Sequence, residues 1–126
     1  MLKKEYRLKK RSAFAATYRT GKSFYSDGIT MFLGKEKQND FPVKIGFVVS
    51  KKIHKRAVKR NRIKRLMRES VRLFIKENGF FDKYMSVVFV ASSRLLGKDF
   101  KEVDAGIRKL VAKLWLMELL LHLLEI

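Results

Sequence analysis

The chain is 126 residues long, which is enough for one compact domain with one hydrophobic core. It carries 30 Lys and Arg residues against 12 Asp and Glu residues, and the formal net charge of +18 favours nucleic acid or an anionic membrane as a partner. It has no cysteine, so disulfides and cysteine-based metal sites are excluded.

Two further observations narrow the class of protein. The two histidines, His54 and His122, lie far apart in the sequence with no neighbouring ligand pattern, so we predict no metal site. The basic N-terminus lacks the apolar stretch of a secretory signal, and no linker or internal repeat divides the chain. We therefore expect a single cytoplasmic domain over residues 1–126.

Residues 1–11 form a basic arm with six cations and one acid, and we expect this arm to be extended. A short helix follows, with Ser12 as its predicted N-cap and Gly21 at its end. Phe14 and Tyr18 are four residues apart in this helix and therefore share a face. Such a pair either packs into the core or offers a stacking platform for unpaired bases.

Three strands are predicted after this helix. Residues 22–26 and 29–35 form a hairpin around residues 27–28, an Asp-Gly pair that is a strong two-residue turn signal. Apolar residues alternate in the second strand, so one of its faces must meet the core. After a polar loop, residues 43–50 are a β-rich run in which Gly46 marks a bulge or a close approach of the backbone.

The stretch from Lys51 to Arg72 concentrates the positive charge. Its apolar residues fall on one arc of a helix and its cations on the opposite arc. Only Glu69 compensates the cations of this stretch. Because like charges repel at helical spacing, a polyanionic partner explains their concentration better than a solvated face does. The apolar arc holds Ile63, Leu66, Met67, Val71 and Phe74, and the opposite arc holds Asn61, Lys64, Arg65, Arg68 and Arg72.

This second helix is predicted over residues 57–77, with a stop at Asn78-Gly79. Residues 84–91 are almost continuously apolar, which is typical of a central strand covered on both faces. A third helix follows Asp99, with an apolar stripe on one side. Its end, residues 115–126, is leucine-rich, apolar all round and too short to span a bilayer, so extra packing or self-association is favoured over membrane adhesion. The stripe consists of Val103, Ile107, Leu110, Leu114, Met117 and Leu121.

The predicted element order is therefore helix, three strands, helix, strand, helix. The run from Ala57 to Arg65, AVKRNRIKR, with Arg68-Glu69 after it, resembles the arginine-rich signature of the bacterial ribonuclease P protein component family. The run from Gly46 to Lys52, GFVVSKK, is similar to that family's strand and trailing lysines, and the segment from Arg7 to Tyr18 resembles its arm and first helix. The chain departs from the family at residues 53–56, where the turn is one residue longer and lacks the usual glycine.

The resemblance implies both a fold and a function. The fold is an α/β sandwich with a mixed four-stranded sheet and a left-handed βαβ crossover, an exception to the usual right-handed rule and shared with certain ribosomal proteins. The function is that of a protein subunit in a ribonucleoprotein endonuclease, which removes the 5′ leader from precursor tRNA. The catalytic centre and its Mg²⁺ ions are then expected in the RNA, with no catalytic residue and no metal ligand in this chain.

The resemblance also implies two binding surfaces. The second helix contacts the catalytic RNA, and a cleft between the first helix and the sheet holds the single-stranded leader of the precursor tRNA. The residues expected at the catalytic RNA are Lys51, Lys52, Arg60, Asn61, Arg62, Lys64, Arg65 and Arg68. The residues expected at the leader are Arg7, Lys10, Phe14, Tyr18 and Phe32.

Two other functions remain open from the sequence. A non-catalytic, ribosomal-type RNA-binding protein of the same fold fits the composition and the basic helix equally well, although it does not require the aromatic residues of the cleft. A duplex-DNA protein fits less well, because the sequence shows no dimer heptad and no second recognition helix.

Overall fold

The computed structural model describes residues 2–78 and 83–125. Its elements are α1 (Arg11–Arg19), β1 (Lys22–Ser26), β2 (Ile29–Leu33), β3 (Lys44–Val48), α2 (Ala57–Asn78), β4 (Ser86–Ala91) and α3 (Phe100–Leu124). The strands form one mixed four-stranded sheet in the order β1-β2-β4-β3. This element order and this mixed sheet confirm the predicted α/β fold class.

The sheet has an inner face, which packs against α2 and α3, and an outer face, which is partly covered by α1. In β2, Ile29, Met31 and Leu33 point inward and are 0% exposed, whereas Thr30 and Phe32 point outward and are half-buried. Apolar burial contributes about 25 cal/mol per Å². The inner face is therefore the main source of stability, and the outer face is left partly open.

The hairpin between β1 and β2 confirms the predicted turn. Ser26 pairs with Ile29, and the two residues between them have positive φ angles, 50° at Asp27 and 86° at Gly28. Both angles lie in the left-handed region that a type I′ turn requires. A Cβ atom on Gly28 would also lie 2.9 Å from the Cβ of Arg94, so this position excludes any side chain.

Strands β3 and β4 are neighbours in parallel pairing, and α2 connects them. Strand β4 lies between β2 and β3, and its residues Val87, Val88 and Phe89 are all 0% exposed. Both of its faces are covered, as the continuous apolar run predicted.

Helix α3 begins with a capping box. The Asp99 carboxylate accepts a hydrogen bond from the Glu102 N–H at 2.9 Å, and the Glu102 carboxylate accepts one from the Asp99 N–H at 3.4 Å. The predicted apolar stripe is buried as far as Leu114, Met117 is partly buried, and Leu121 is exposed. The last turns of α3 therefore extend past the core.

The N-terminal segment is not the extended arm that its charge predicted. Lys4–Tyr6 forms a 3-10 turn, and the side chain of Leu2 is buried in the core. The Leu8 N–H donates to the Ile45 carbonyl at 2.9 Å, so the segment runs beside the edge strand β3. Two leucines lie among the cations of this segment, and they account for the difference. Their apolar side chains favour packing along the uncovered edge of the sheet over an extended arm in solvent.

The helix-end signals predicted for α1 and α2 have different outcomes in the structure. Ser12 is not the N-cap of α1, because the helix already includes Arg11 and the cap position is held by Lys10, which makes no side-chain capping bond. Helix α2 ends at Asn78, one residue beyond its predicted end at residue 77, and Gly79, the second residue of its predicted stop signal, lies outside the described residues.

Candidate nucleic-acid interface

Helix α2 has the buried face and the exposed face that its sequence predicted. Ile63 is 2% exposed, and Met67 and Val71 are 0% exposed. On the same side, the buried hydroxyl of Ser70 donates to the Asp104 carboxylate of α3 at 2.6 Å. These contacts fix the rotation of α2 about its axis, so that its cations face away from the core.

The cations at the centre of α2 are not neutralised. Within the described ranges, no ion pair joins Lys64, Arg65 or Arg68 to a carboxylate. Glu69 pairs instead with Arg72, at 2.6 Å between Oε1 and Nη2. The hydrogen bond from Arg72 lowers the pKa of the Glu69 carboxyl. The exposed side of α2 therefore presents a concentrated positive potential to a polyanion.

The turn that enters α2 is closed by the helix's own arginine. One nitrogen of the Arg60 guanidinium donates to the carbonyl oxygens of His54, at 2.9 Å, and Lys55, at 2.7 Å. The His54 Nδ1 atom accepts the N–H of Arg56 at 3.1 Å. These three bonds stabilise the turn at residues 53–56. Arg60, predicted at the catalytic RNA, thus also holds the turn in place.

A cleft of about 280 Å³, which we call the edge cleft, lies beside β3. Arg7 and Phe14 reach it from the N-terminal segment and α1, Lys64 and Arg68 reach it from α2, and Phe47 lines it from β3. Residues that the sequence assigned to two different RNAs therefore share one cleft.

Phe47 is a candidate site residue that the sequence did not reveal. Its ring stacks on the buried ring of Phe89, with centroids 5.7 Å apart and an interplanar angle of 13°. The guanidinium carbon of Arg68 lies 5.9 Å from the Phe47 centroid, within the range of a cation–π contact. Alternation in β3 assigns Phe47 to the inner face, and only the edge position of β3 lets this ring reach the cleft. The sequence contains no signal for that edge position.

Gly46 allows Phe14 to lie directly against the sheet. A Cβ atom at position 46 would be 2.4 Å from Cε1 of the Phe14 ring and 2.6 Å from its Cζ. Contacts this short do not occur between real atoms, so any side chain here would displace the ring. The close backbone approach predicted at Gly46 is confirmed.

Helix α1 crosses the outer face from β3 to β2. Phe14 lies over β3, the Thr17 hydroxyl is 2.6 Å from the Ser86 hydroxyl of β4, and Tyr18 meets Phe32 of β2. The Tyr18 and Phe32 rings are edge to face, with centroids 4.9 Å apart. Tyr18 remains 38% exposed, and its partial burial raises the pKa of its phenol. An aromatic group with open surface thus follows α1 across the sheet.

The other residues predicted to contact RNA differ in their local contacts. Arg62 is turned toward the start of α3, where its guanidinium donates to the Lys98 carbonyl at 2.9 Å. The Arg7 Nε atom donates to the Leu2 carbonyl at 3.0 Å and so helps to hold the N-terminal segment. The remaining residues predicted to contact RNA are all exposed: Lys10, Lys51, Lys52, Asn61 and Arg65. The assignment of all these residues to RNA stays a prediction.

The described part of the chain has neither a metal-binding cluster nor a membrane-spanning helix. Residues 2–78 and 83–125 contain no group of three or more His, Asp or Glu side chains that could hold a metal ion. Among these same residues, no helix has both the length and the apolar character needed to cross a bilayer.

The fold and the surface define the class: a small, basic α/β protein in which a cationic helix adjoins an aromatic sheet face. The family model for ribonuclease P matches residues 2–115. The ribonuclease P protein component of Clostridium kluyveri is 38% identical over 112 residues, covering 86% of this chain and 93% of the relative. That of Clostridioides difficile is 39% identical over 108 residues, covering 84% and 89%.

Solved structures agree with these relatives. The ribonuclease P protein of Staphylococcus aureus superposes with a TM-score of 0.72 at 25% identity, covering 86% of this chain and 94% of that one. The Thermotoga maritima ribonuclease P protein, in complex with 1-(4-fluorophenyl)-2-thiourea, gives 0.67 at 26% identity, covering 82% and 95%. The chain belongs to the ribonuclease P protein component family, which confirms the family predicted from the arginine-rich signature. Membership makes it a protein component of the ribonuclease P endoribonuclease.

Proposed function

We propose that this chain binds the catalytic RNA of ribonuclease P through α2 and the 5′ leader of precursor tRNA along the outer face of the sheet. In this role it promotes the endonucleolytic removal of the leader in the cytoplasm. The observation that carries the proposal is the edge cleft, where Lys64 and Arg68 of α2 meet Phe14 of α1.

The exposed side of α2 supports the contact with the catalytic RNA. Arginine makes planar, bidentate contacts with phosphate, and lysine makes a point-charge contact. Arg65 is exposed, Lys64 and Arg68 are half-buried beside the cleft, and no carboxylate in the described part of the chain pairs with any of them. An RNA backbone that follows α2 replaces water on these groups without first breaking an ion pair.

The outer face supports the contact with the leader. Single-stranded RNA binds where bases stack on aromatic rings beside a cationic groove. Phe14, Tyr18 and Phe32 supply rings across three strands, and Arg7 and Lys10 lie at the start of α1. Stacking tolerates any base, which suits a leader whose sequence differs between precursor tRNAs.

Catalysis is assigned to the RNA, with Mg²⁺ bound mainly by RNA. Metal ions can promote the hydrolysis of a phosphodiester by activating water and stabilising the leaving oxygen. The described residues offer no cluster that fits such an ion, and several of their acids are occupied. Asp104 pairs with Arg108 at 2.9 Å, and Glu118 accepts a hydrogen bond from Tyr84 at 2.6 Å. The protein's part is to bind and position both RNAs.

The test is cleavage of a precursor tRNA at low Mg²⁺ by a bacterial ribonuclease P RNA, with and without this protein. We expect the protein to restore leader removal and to cleave nothing by itself. Arg65→Ala should reduce this rescue because it weakens assembly with the catalytic RNA, whereas Lys101→Ala, an exposed cation on α3, should leave it unchanged. Binding of both RNAs without rescue would contradict the proposal and favour the ribosomal-type function.

A further inference from the structure

The end of α3 carries exposed leucines that the core does not use. Four of them, Leu116, Leu119, Leu120 and Leu123, are between 55% and 61% exposed. At 100° per residue they share an arc roughly 100° wide, opposite the buried stripe. We call these four residues the leucine seam. It lies beyond residue 115, where the match to the family model ends.

The lack of cations around the leucine seam excludes RNA as its partner. No Lys or Arg occurs between Leu114 and the end of the sequence, although the whole chain has a net charge of +18. RNA binding requires cations. Helices that lie on membranes are typically rich in Lys and Arg on their polar face, whereas the polar residues here are Glu118, His122 and Glu125. The seam therefore fits an apolar protein surface.

The spacing of the residues along this side of α3 allows two copies of the helix to pack against each other. Ala112, Leu116, Leu119 and Leu123 follow one another at intervals of four, three and four residues, the repeat of a two-helix coiled-coil contact. In an antiparallel pair, Leu116 of one copy lies opposite the partner's Leu119. The small side chain of Ala112 then lies opposite a leucine of the other copy, which lets the two helices approach closely.

Net charge selects the antiparallel arrangement over the parallel one. A parallel pair would place two highly cationic domains side by side, with Lys113 of both copies at the same level of the contact. Lys113 is exposed and donates only to the Tyr25 carbonyl among the described contacts. An antiparallel pair places the two domains at opposite ends of the contact, and each cation-free helix end then lies beside the aliphatic stem of the partner's Lys113.

We propose that the leucine seam binds a second copy of this chain, as an antiparallel pair of α3 ends. The contact spans roughly 18 Å, the length of about twelve helical residues. An interface this short belongs to the small end of specific protein contacts, so the dimer is expected to be weak and concentration-dependent. The proposal concerns the isolated protein and does not depend on which RNA it binds.

The first test is sedimentation equilibrium of the full chain without RNA, from about 5 to 500 µM. We expect the mean mass to rise from one chain toward two. Leu119→Glu should abolish the rise. Leu121→Glu is the matched control, because Leu121 is exposed to a similar degree, 51% against 55%, but lies on the other side of the helix. A monomer at every concentration, or equal loss with both variants, overturns the proposal.

The second test determines the orientation of the pair. The chain has no cysteine, so single-cysteine variants give a clean crosslinking signal. A mixture of Leu116→Cys and Leu119→Cys should form the mixed disulfide faster than either homodimeric disulfide. Faster homodimeric disulfides would show a parallel pair and overturn the antiparallel assignment.

A third measurement separates a second copy from lipid as the occupant. Co-sedimentation with neutral phosphatidylcholine vesicles should retain no more wild-type protein than Leu119→Glu protein. Vesicle binding that depends on the leucine seam would overturn the proposal and assign the seam to a membrane surface.

Discussion

The two faces of the sheet are built from the same four strands but have opposite properties. On the inner face, Met31 and Phe89 are 0% exposed beneath α2 and α3. On the outer face, Phe32 and Val90 are only half-buried, because the nine-residue helix α1 crosses the sheet without covering it. The buried inner face supplies stability, and the half-buried outer face leaves rings accessible at little risk to the fold.

Truncation of an inner-face ring should have the largest effect on stability. Phe89→Ala removes a fully buried ring that also supports Phe47, and we expect the free energy of unfolding to fall by ~3–5 kcal/mol. Urea denaturation followed by circular dichroism measures this loss.

Two valines of β4, one on each face of the sheet, provide a matched pair of variants that compares the two faces. Val87→Ala acts on the inner face, where the side chain is 0% exposed, and Val90→Ala acts three residues later on the half-buried outer face. The inner variant should lose more stability than the outer one. Equal losses would mean that the two faces do not divide their roles as described.

Removal of two outer-face rings should mainly affect binding. Phe14→Ala with Tyr18→Ala should weaken binding of leader-bearing precursor tRNA to the holoenzyme by ~1–3 kcal/mol per lost stack, with a smaller effect on mature tRNA. Filter binding at fixed salt measures both affinities. Equal losses for the two ligands would contradict the assignment of these rings to the leader.

A methyl group at Gly46 should disturb the outer face while leaving the inner one intact. Gly46→Ala places a Cβ atom 2.4 Å from the Phe14 ring, so α1 must shift, at a cost of ~1–3 kcal/mol in stability. We expect leader affinity to fall as well. The double variant Gly46→Ala with Phe14→Ala should recover part of the stability, and no recovery would show that the strain arises elsewhere.

The smallest expected effect concerns the link from Tyr84, two residues before β4, to Glu118 of α3. Burial, and then the hydrogen bond to Glu118, raise the pKa of the Tyr84 phenol. The folded state therefore favours the neutral phenol, and this contribution is complete below about pH 10, the unfolded pKa, and decreases above it. Tyr84→Phe should cost ~1 kcal/mol at neutral pH. The difference from the wild type should narrow in urea titrations above pH 10, and a constant difference would contradict this account.

Structural features that are determined by residues close together in the sequence could be predicted. The Asp27-Gly28 turn is determined by two residues that accept positive φ angles, and the two arcs of α2 follow from helical periodicity. The edge cleft could not be predicted from the residues alone, because Arg7 and Lys64 meet only when the N-terminal segment has packed beside β3. The error at Ser12 has a similar cause, since α1 is positioned by the sheet beneath it and needs no local cap.

The resemblance to a family supplied what local patterns could not. It assigned Phe14 and Tyr18 to binding, whereas their spacing alone left core packing and base stacking open. It did not indicate Phe47, whose reach into the edge cleft depends on the position of β3 at the edge of the sheet. Nor did it explain the leucine seam, which follows the residues that the family model matches.

Site-specific crosslinking tests the central claim most directly, and the cysteine-free chain suits it. A photo-crosslinker would be attached to Thr30→Cys on the outer face, to Asn61→Cys on α2 or to Lys101→Cys on α3, each in the holoenzyme with precursor tRNA. We predict crosslinks to the 5′ leader from position 30, to the catalytic RNA from position 61, and to neither RNA from position 101. Leader crosslinks from position 101, or none from position 30, would contradict the assignment of the leader to the outer face.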